Sequence, residues 1–220
     1  MNQKKSGRLS APIAVATAIL ALHVTSASAG ASSDACRVPA HAQVLARSTS
    51  GVIYRKKFHE LSRAYGCLFS TGRVRALAGQ NQTQPGPVKL VTAAKLSGRF
   101  AAYVLLVEGD YNEVAVFDLK RGRLIIHQLA EAGFVDRVRS FVAKRNGSIA
   151  WIVQGPAYDE NHRPYPGGDY EVRKVEVRNP STSVELASGN DISGKSLRLS
   201  HDRRTISWVQ ANQERTARLR

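Results

Sequence analysis

Two stretches of the chain are close copies of one another. RNGSIAWIVQ occupies residues 145–154, and HDRRTISWVQ occupies residues 201–210. In both, apolar residues alternate with small or polar ones up to a tryptophan, which is typical of a half-buried β-strand. Asn146-Gly147, just before the first of these strands, is a strong signal for a hairpin turn. A chain that repeats such a unit must build the same small piece of sheet more than once.

Two further copies of the unit occur earlier in the chain, as TSGVIYRK and SGRFAAYVLL. The aromatic residues that mark the four strands are Tyr54, Tyr103, Trp151 and Trp208, which are 49, 48 and 57 residues apart. A period in this range, built from strands, indicates propeller blades or a similar stack of small sheets.

The second half of each unit also repeats. GCLFSTGRVRAL (66–77) and VAVFDLKRGRLIIHQL (114–129) both read as strand, Gly-Arg turn and strand, and residues 172–188 use a Pro-containing turn in the same place. Residues 137–144 combine helical spacing with a position just before the Asn-Gly turn, and we interpret them as a strand. The sequence therefore predicts an all-β chain of about three and a half units, each with three or four short strands.

The aromatic-ended strand, the V-x-V-x-D strand at 114–118 and the Gly-Arg turn resemble the blades of TolB-like and WD-type β-propellers. The chain also resembles secreted bacterial proteins built from such repeats, over residues 40–220. The resemblance implies repeated small antiparallel sheets, propeller-like, with about four blades of which the last is incomplete. It also implies an interaction platform rather than a particular activity. Those families typically have about six or more blades, which this chain cannot supply.

The N-terminus reads as a targeting segment. A basic head (residues 1–8) precedes the apolar run 11–24 and a small-residue tail with alanines at −3 and −1 from a cleavage site after Ala29. We predict a secretory signal peptide over 1–29 and a single β-repeat domain over 30–220. The apolar run is shorter than the roughly 20 residues of a spanning helix, so we expect a secreted or extracytoplasmic protein without a transmembrane segment.

Export changes the interpretation of the two cysteines. In an oxidising compartment, Cys36 and Cys67 are expected to form a disulfide rather than a metal pair. Their separation of 31 residues corresponds to a chain-entropy stabilisation of about 3–4 kcal/mol. No metal site is predicted, because HELSR (59–63) has Arg63 where a zinc motif needs its second histidine.

Two segments between strands combine carboxylates and tyrosines with turn residues. They are GPAYDENHRPYPGGDYE (155–171) and the shorter EGDYNE (108–113). One interpretation is that both are ordinary exposed loops. The other is a binding surface, where tyrosines offer stacking area and carboxylates accept hydrogen bonds or hold a weak Ca²⁺ site in 155–171. The candidate binding residues are Asp110, Tyr111, Tyr158, Asp159, Glu160, His162, Tyr165, Asp169 and Tyr170.

No catalytic signature is present: the nucleophile elbow G-x-S-x-G, the dinucleotide motif G-x-G-x-x-G and the P-loop are all absent. We therefore expect an exported, non-catalytic binding protein with no catalytic residues and no cofactor beyond the weak Ca²⁺ possibility. The alternative is an extracellular hydrolase that uses the loop carboxylates of 108–113 and 155–171.

Net charge points to the class of partner. The chain has 32 Lys and Arg against 17 Asp and Glu, a formal charge of +15, and cleavage after Ala29 would leave +12. This balance favours anionic partners such as wall polymers, acidic lipids or extracellular nucleic acid. No nucleic-acid-binding module is present, so we expect a protein or an anionic cell-envelope polymer as partner and no specific nucleic-acid binding.

The fourth unit has too few residues to cover its own edge, which leaves two possibilities for how the sheets end. The stretch HAQVLARS (41–48) could dock on residues 205–218 and close the sheets into a compact monomer. Otherwise the edge stays open and recruits a second chain. Repeated positive charge along that edge discourages self-pairing, so we expect a monomer rather than a dimer; these charges are Arg215, Arg218 and Arg220.

Overall fold

The computed structural model describes residues 35–58, 61–78, 89–107, 111–130, 136–158 and 160–220. Within these ranges the protein contains β-strands and no α-helix, as the repeat pattern predicts. None of the residues in these ranges belongs to a helix long and apolar enough to cross a membrane. The signal peptide expected over 1–29 lies outside the described residues.

The strands form four small antiparallel sheets, one after another along the chain. The first sheet contains β1 (Gln43–Ser48), β2 (Gly51–Phe58), β3 (Leu61–Leu68) and β4 (Val74–Ala78). The second contains β5 (Lys89–Ser97), β6 (Phe100–Val107), β7 (Tyr111–Asp118) and β8 (Arg123–Leu129). The third contains β9 (Arg137–Ala143), β10 (Ile149–Tyr158), β11 (Pro164–Val175) and β12 (Val184–Gly189). The fourth contains β13 (Arg198–Leu199), β14 (Thr205–Gln210) and β15 (Gln213–Arg218).

The four repeat aromatics occupy equivalent places, each on the second strand of its sheet. Tyr54, Tyr103, Trp151 and Trp208 are all at most 5% exposed. The repeat predicts that Tyr103, Trp151 and Trp208 are buried at matching positions, and this prediction is confirmed. The strand predicted over 137–144 is also present, as β9.

Two of the repeat aromatics fasten their sheet to the one before it. Tyr103 donates a hydrogen bond of 2.7 Å from its hydroxyl to the backbone oxygen of Leu77, on the last strand of the first sheet. Trp151 donates one of 3.0 Å from Nε1 to the backbone oxygen of Ala130, just after the last strand of the second sheet. Such a bond gives the polar atom of a buried Tyr or Trp a partner. Trp208 differs, because its Nε1 is buried without a hydrogen-bond partner among the described residues.

Each pair of neighbouring sheets encloses an apolar core. The second strands are buried on both faces, so β6 reads as the continuous apolar run FAAYVLLV rather than an alternating one. Ala101, Tyr103 and Leu105 face the first sheet, and the intervening residues face the third. A third core, which includes Ile152, Ile206 and Trp208, lies between the third and fourth sheets.

Among the described residues no sheet precedes the first one, and residues 36–42 cover its outer face instead. Cys36 is bonded to Cys67 with an S–S distance of 2.01 Å, so the predicted disulfide is confirmed. The bridge holds Cys36 and Val38 over an apolar cluster that includes Val52, Tyr54 and Phe69. A disulfide thus fixes the segment that takes the place of a neighbouring sheet.

The expected closure through residues 41–48 is wrong. Residues Gln43–Ser48 form β1 and pair with β2 of their own sheet, with Ser48 opposite Gly51. The reason is local: the short turn at Thr49-Ser50 brings β1 directly beside β2, and closing so short a loop costs little entropy. The fourth sheet is extended instead by β13 and by a bridge between Ile192 and Gln210. In the described ranges no apolar cluster joins the fourth sheet to the first.

The sheets are aligned so that their hairpins gather at two ends. Phe100, at the start of β6, lies against Gly147, in the turn just before β10. Further along the two strands, Val104 and Val153 belong to the same core. We call "turn end" the end with the turns between first and second strands, at residues 49–50, 98–99, 144–148 and 200–204. We call "arm end" the end with the hairpins that join β2 to β3, β6 to β7, β10 to β11 and β14 to β15.

Candidate functional site

A cavity of about 840 Å³ lies at the turn end. All four sheets contribute to it, because the turn between the first and second strand of each sheet reaches its wall. We call it the turn pocket. Its lining residues are Ser48, Thr49, Ser50, Lys95, Leu96, Ser97, Gly98, Ala143, Arg145, Leu199, Ser200, His201 and Arg203.

Short turns with left-handed residues bring the walls of the turn pocket together. Gly98 has a φ of 61°, a conformation that glycine adopts without steric cost. Its backbone oxygen accepts a hydrogen bond of 2.8 Å from the Ser50 hydroxyl, which joins the turns of the first two sheets. A Cβ on Gly98 would lie 3.8 Å from Cγ of Arg145, so the turn of the third sheet is in van der Waals range as well. Arg203, in the fourth sheet, also has a positive φ, of 57°.

The lining of the turn pocket is cationic. Lys95, Arg145 and Arg203 contribute positive charge, His201 adds a titratable imidazole, and no carboxylate is among the lining residues. Cations gathered in a concave surface raise the local concentration of anions. The arrangement is therefore suited to an anionic group.

One carboxylate lies close to the turn pocket, on the turn of the fourth sheet. Asp202 accepts hydrogen bonds of 2.6 Å from the Ser200 hydroxyl and 3.0 Å from the backbone amide of Arg204. These two bonds hold the pKa of the Asp202 carboxyl below its ordinary value. Its oxygens thus fix the turn, and its side chain is not part of the lining.

Lys95 is the lysine of the pocket wall, and its surroundings are partly apolar. Its Nζ lies 5.3 Å from the centre of the Phe141 ring, within the range of a cation–π contact. Desolvation lowers the pKa of the Lys95 ammonium. A bound anion would compensate this loss of solvation, because an opposite charge nearby stabilises the charged form.

The aspartate of the V-x-V-x-D strand has a structural role at the same end. Asp118 is fully buried, and its Oδ1 accepts backbone hydrogen bonds of 3.1 Å from both Lys120 and Arg121. Its Oδ2 lies 3.1 Å from Nε of Arg99. Its carboxylate therefore shapes the turn between β7 and β8 and balances Arg99.

The segment 155–171, which we interpreted as a loop from its sequence, is mostly a long hairpin. β10 continues to Tyr158 and β11 begins at Pro164, with Pro156 paired to Pro166 beyond a register shift. Gly168 makes this extension possible, because a Cβ there would collide with the backbone oxygen of Pro156. The loop interpretation is wrong, and we call residues 155–168 the arm.

The predicted site residues of 155–171 lie along the arm and at its base. Tyr158 is 64% exposed, and Glu160, His162 and Asp169 are exposed as well. Tyr165 belongs to β11, where its backbone pairs with Ala157. Tyr170 is half-buried and packs against the core between the third and fourth sheets. Asp159 lies outside the described residues, so the weak Ca²⁺ site remains a prediction.

The shorter segment 108–113 also differs from the loop that we expected. Tyr111 and Glu113 lie in β7, and Tyr111 packs against the core between the first and second sheets. Tyr111 and Tyr170 therefore belong to different cores and do not form one binding surface. Asp110 lies outside the described residues.

Glu113, expected as one of the loop carboxylates of 108–113, is buried. Its Oε2 lies 2.8 Å from Nζ of Lys89 and 2.6 Å from Nε2 of His127. Burial alone would raise the pKa of Glu113, but the hydrogen bonds from Lys89 and His127 bring it below its ordinary value. The carboxylate is thus engaged by Lys89 and His127. Across the described ranges, no group of three His, Cys, Asp or Glu residues is arranged to hold a metal ion.

Comparison with known proteins gives weak structural likenesses. No family model matches the chain, and no curated protein matches it. An uncharacterized protein from Listeria monocytogenes EGD-e has 9% identity and a TM-score of 0.43, over 80% of this chain and 53% of that one. A chain of a mitotic checkpoint complex has 13% identity and a TM-score of 0.33, over 99% and 75%. A prolyl endopeptidase has 10% identity and a TM-score of 0.33, over 81% and 35%.

This chain spans about half the length of the Listeria protein. With TM-scores below 0.5, none of these likenesses carries an argument about function. The strand pairing itself shows the repeated antiparallel sheets. The resemblance to TolB-like propellers in particular remains a prediction.

Proposed function

We propose that the protein is an exported, non-catalytic binding protein and that its turn pocket takes an anionic group of its partner. One observation carries the proposal. The turns of all four sheets converge on one cavity whose lining includes Lys95, Arg145 and Arg203 and no carboxylate. Like charges brought together repel one another, and an anionic ligand relieves this repulsion when it binds.

Two features support an extracytoplasmic setting for this function. The disulfide between Cys36 and Cys67 is typical of proteins in an oxidising compartment. The sequence pattern of residues 1–29 is that of a secretory signal peptide. A basic exported protein meets anionic envelope polymers as its most abundant charged neighbours, so we propose such a polymer as the partner.

The alternative function, an extracellular hydrolase, has less support. A glycosidase-type mechanism needs two carboxylates at a fixed separation. Glu113 is engaged by Lys89 and His127, whereas Glu160 and Asp169 are exposed on the arm and at its base. No observation on the described residues favours hydrolysis over binding.

Calorimetric titration of the protein with phosphate and with sulfate tests the proposal. Arg145→Gln and Arg203→Asn each remove one cation from the pocket wall, and asparagine tolerates the left-handed conformation at position 203. We expect each variant to weaken binding about tenfold, the equivalent of about 1.4 kcal/mol for one charge-assisted contact.

The matched control is Arg215→Gln, which removes an exposed arginine from β15, outside the pocket lining. It should leave the dissociation constant unchanged. Equal losses in the control and the pocket variants would mean that only net charge matters. Absence of binding by both anions would contradict the proposed function.

A further inference from the structure

A groove continues outward from the turn pocket, between the first and second sheets. Its volume is about 240 Å³, and it shares Thr49, Ser50 and Gly98 with the pocket. The other residues that line it are Leu68, Phe69, Ser70, Arg99 and Lys120. The two cavities therefore form one elongated surface that begins among the four turns and ends near the turn between β7 and β8.

Cations are distributed along the whole of this surface. Arg99 and Lys120 line the groove, as Lys95, Arg145 and Arg203 line the pocket. Arg99 is balanced by the buried Asp118, with Nε 3.1 Å from Oδ2. Lys120 is exposed, and it is its backbone amide that bonds Asp118. Lys120 is thus the exposed cation of the groove lining.

Hydroxyl groups line the same two cavities. In the pocket they belong to Ser48, Thr49, Ser50, Ser97 and Ser200, and in the groove to Ser70 as well. The Ser50 hydroxyl donates to the backbone oxygen of Gly98, and Ser48 lies 2.9 Å from it, so each of these hydroxyls can accept one further hydrogen bond. A lining that combines cations with hydroxyls matches a chain that carries both negative charges and hydroxyl groups.

We infer that pocket and groove together bind a phosphodiester-linked polyol polymer, with phosphates beside the cations and polyol hydroxyls beside the serines. This inference rests on the proposed function and specifies its ligand. The pocket is much larger than one phosphate group, and the groove extends it in one direction, which suits a linear chain better than a compact anion.

Nucleic acid is also a phosphodiester polymer, but this surface lacks what single strands require. Bases bind by stacking on exposed aromatic rings. The turn pocket has no Phe, Tyr or Trp in its lining, and the imidazole of His201 is its one ring on which a base could stack. Phe69, in the groove, is 9% exposed and has the Arg47 guanidinium 5.9 Å from its ring centre. The surface therefore favours a phosphate polymer without bases.

Calorimetric titration of the full chain tests this, with poly(glycerol phosphate) as the polymer and glycerol 3-phosphate as the single unit. Lys120→Gln removes the groove cation, and Lys57→Gln, an exposed lysine near the arm end, is its control. We expect Lys120→Gln to weaken polymer binding about tenfold. It should also reduce the slope of log affinity against log salt by about one, with no change for glycerol 3-phosphate. Lys57→Gln should change neither affinity.

The other outcomes separate the inference from the proposed function. If Lys120→Gln leaves polymer binding unchanged, the inference is wrong and the pocket alone binds anions. Equal or tighter binding of polyglutamate, linear polyphosphate or single-stranded DNA, at equal numbers of charges, would also overturn it. If neither glycerol 3-phosphate nor the polymer binds, the proposed function itself fails.

Discussion

The turn end and the arm end of the molecule differ in how they place their charged residues. At the turn end, short turns hold their residues within a few ångströms of one another, and Ser50, Gly98 and Arg145 illustrate this contact between three sheets. At the arm end, the hairpins differ in length, and the arm carries Tyr158 and Glu160 out into solvent. The turn end gathers cations into one cavity, whereas the arm end disperses its carboxylates.

The difference shows that the residues of a functional surface need not be close together in the sequence. The turn pocket takes one cation from each of three sheets, and none of these three stretches stands out alone. The arm contains Tyr158, Glu160 and His162 within a few residues, and the structure leaves these side chains exposed. Convergence of equivalent turns, rather than local density of polar residues, creates the candidate site.

The same sheets carry the turn end and the arm end, so both ends depend on the core between those sheets. Trp151→Ala tests this dependence and has the largest expected effect. Trp151 is fully buried between the second and third sheets. Its truncation should lower the free energy of unfolding by about 3–5 kcal/mol, because it leaves a cavity and removes the Ala130 hydrogen bond. Urea denaturation measures the change. A loss below about 1 kcal/mol would contradict the role given to the repeat aromatic.

The outer face of the first sheet is covered by a segment that a disulfide holds in place, whereas each later sheet packs against the sheet before it. Replacing Cys36 and Cys67 together with serine should cost about 3 kcal/mol, since the bridge closes a loop of 31 residues in the unfolded chain. Thermal denaturation of the variant, compared with the unreduced protein, measures this. An unchanged melting temperature, or reaction of both cysteines with a thiol reagent in the unreduced, denatured protein, would refute the link.

At the arm end, Glu113 should add a smaller, pH-dependent contribution. Its pKa in the folded protein is lowered, so its contribution is present above the ordinary glutamate pKa of about 4.3 and disappears as the pH falls through the folded value. Glu113→Gln should therefore cost about 1 kcal/mol at neutral pH, and progressively less as the pH falls below the ordinary glutamate pKa. Glu185→Gln, on an exposed glutamate, is the control for denaturation at both pH values. A cost that does not vary with pH would exclude this account of Glu113.

The smallest effect is expected from the arm itself. Replacement of residues 156–168 with an Asn-Gly turn should change the free energy of unfolding by less than about 1 kcal/mol, because the removed side chains at the tip are exposed. Phosphate and sulfate should bind the shortened protein as they bind the original one. Loss of anion binding on this deletion would move the site to the arm end.

The architecture was largely predictable from the sequence, and the site was not. Periodicity located the strands, and the aromatic spacing identified equivalent positions in all four sheets, because both depend on local patterns. The pairing of β1 with β2 was not predicted. The interpretation of 41–48 considered the uncovered edge of the fourth unit and not the short turn at Thr49-Ser50, which places β1 beside β2. Alignment on the repeat aromatics places Lys95, Arg145 and Arg203 at different positions, 8, 6 and 5 residues before the aromatic residue. Their approach to one cavity depends on how the sheets are arranged, which no single repeat encodes.

Mapping of anion binding by NMR tests the central claim most directly. Titration of ¹⁵N-labelled protein with sulfate should shift amide signals at residues 48–50, 95–98, 143–145 and 199–203, and the shifts should saturate together. Amides at residues 156–158 and 160–163 should stay unchanged throughout. Saturating shifts confined to the arm, or no saturating shifts at the turn pocket, would contradict the assignment of anion binding to the turn end.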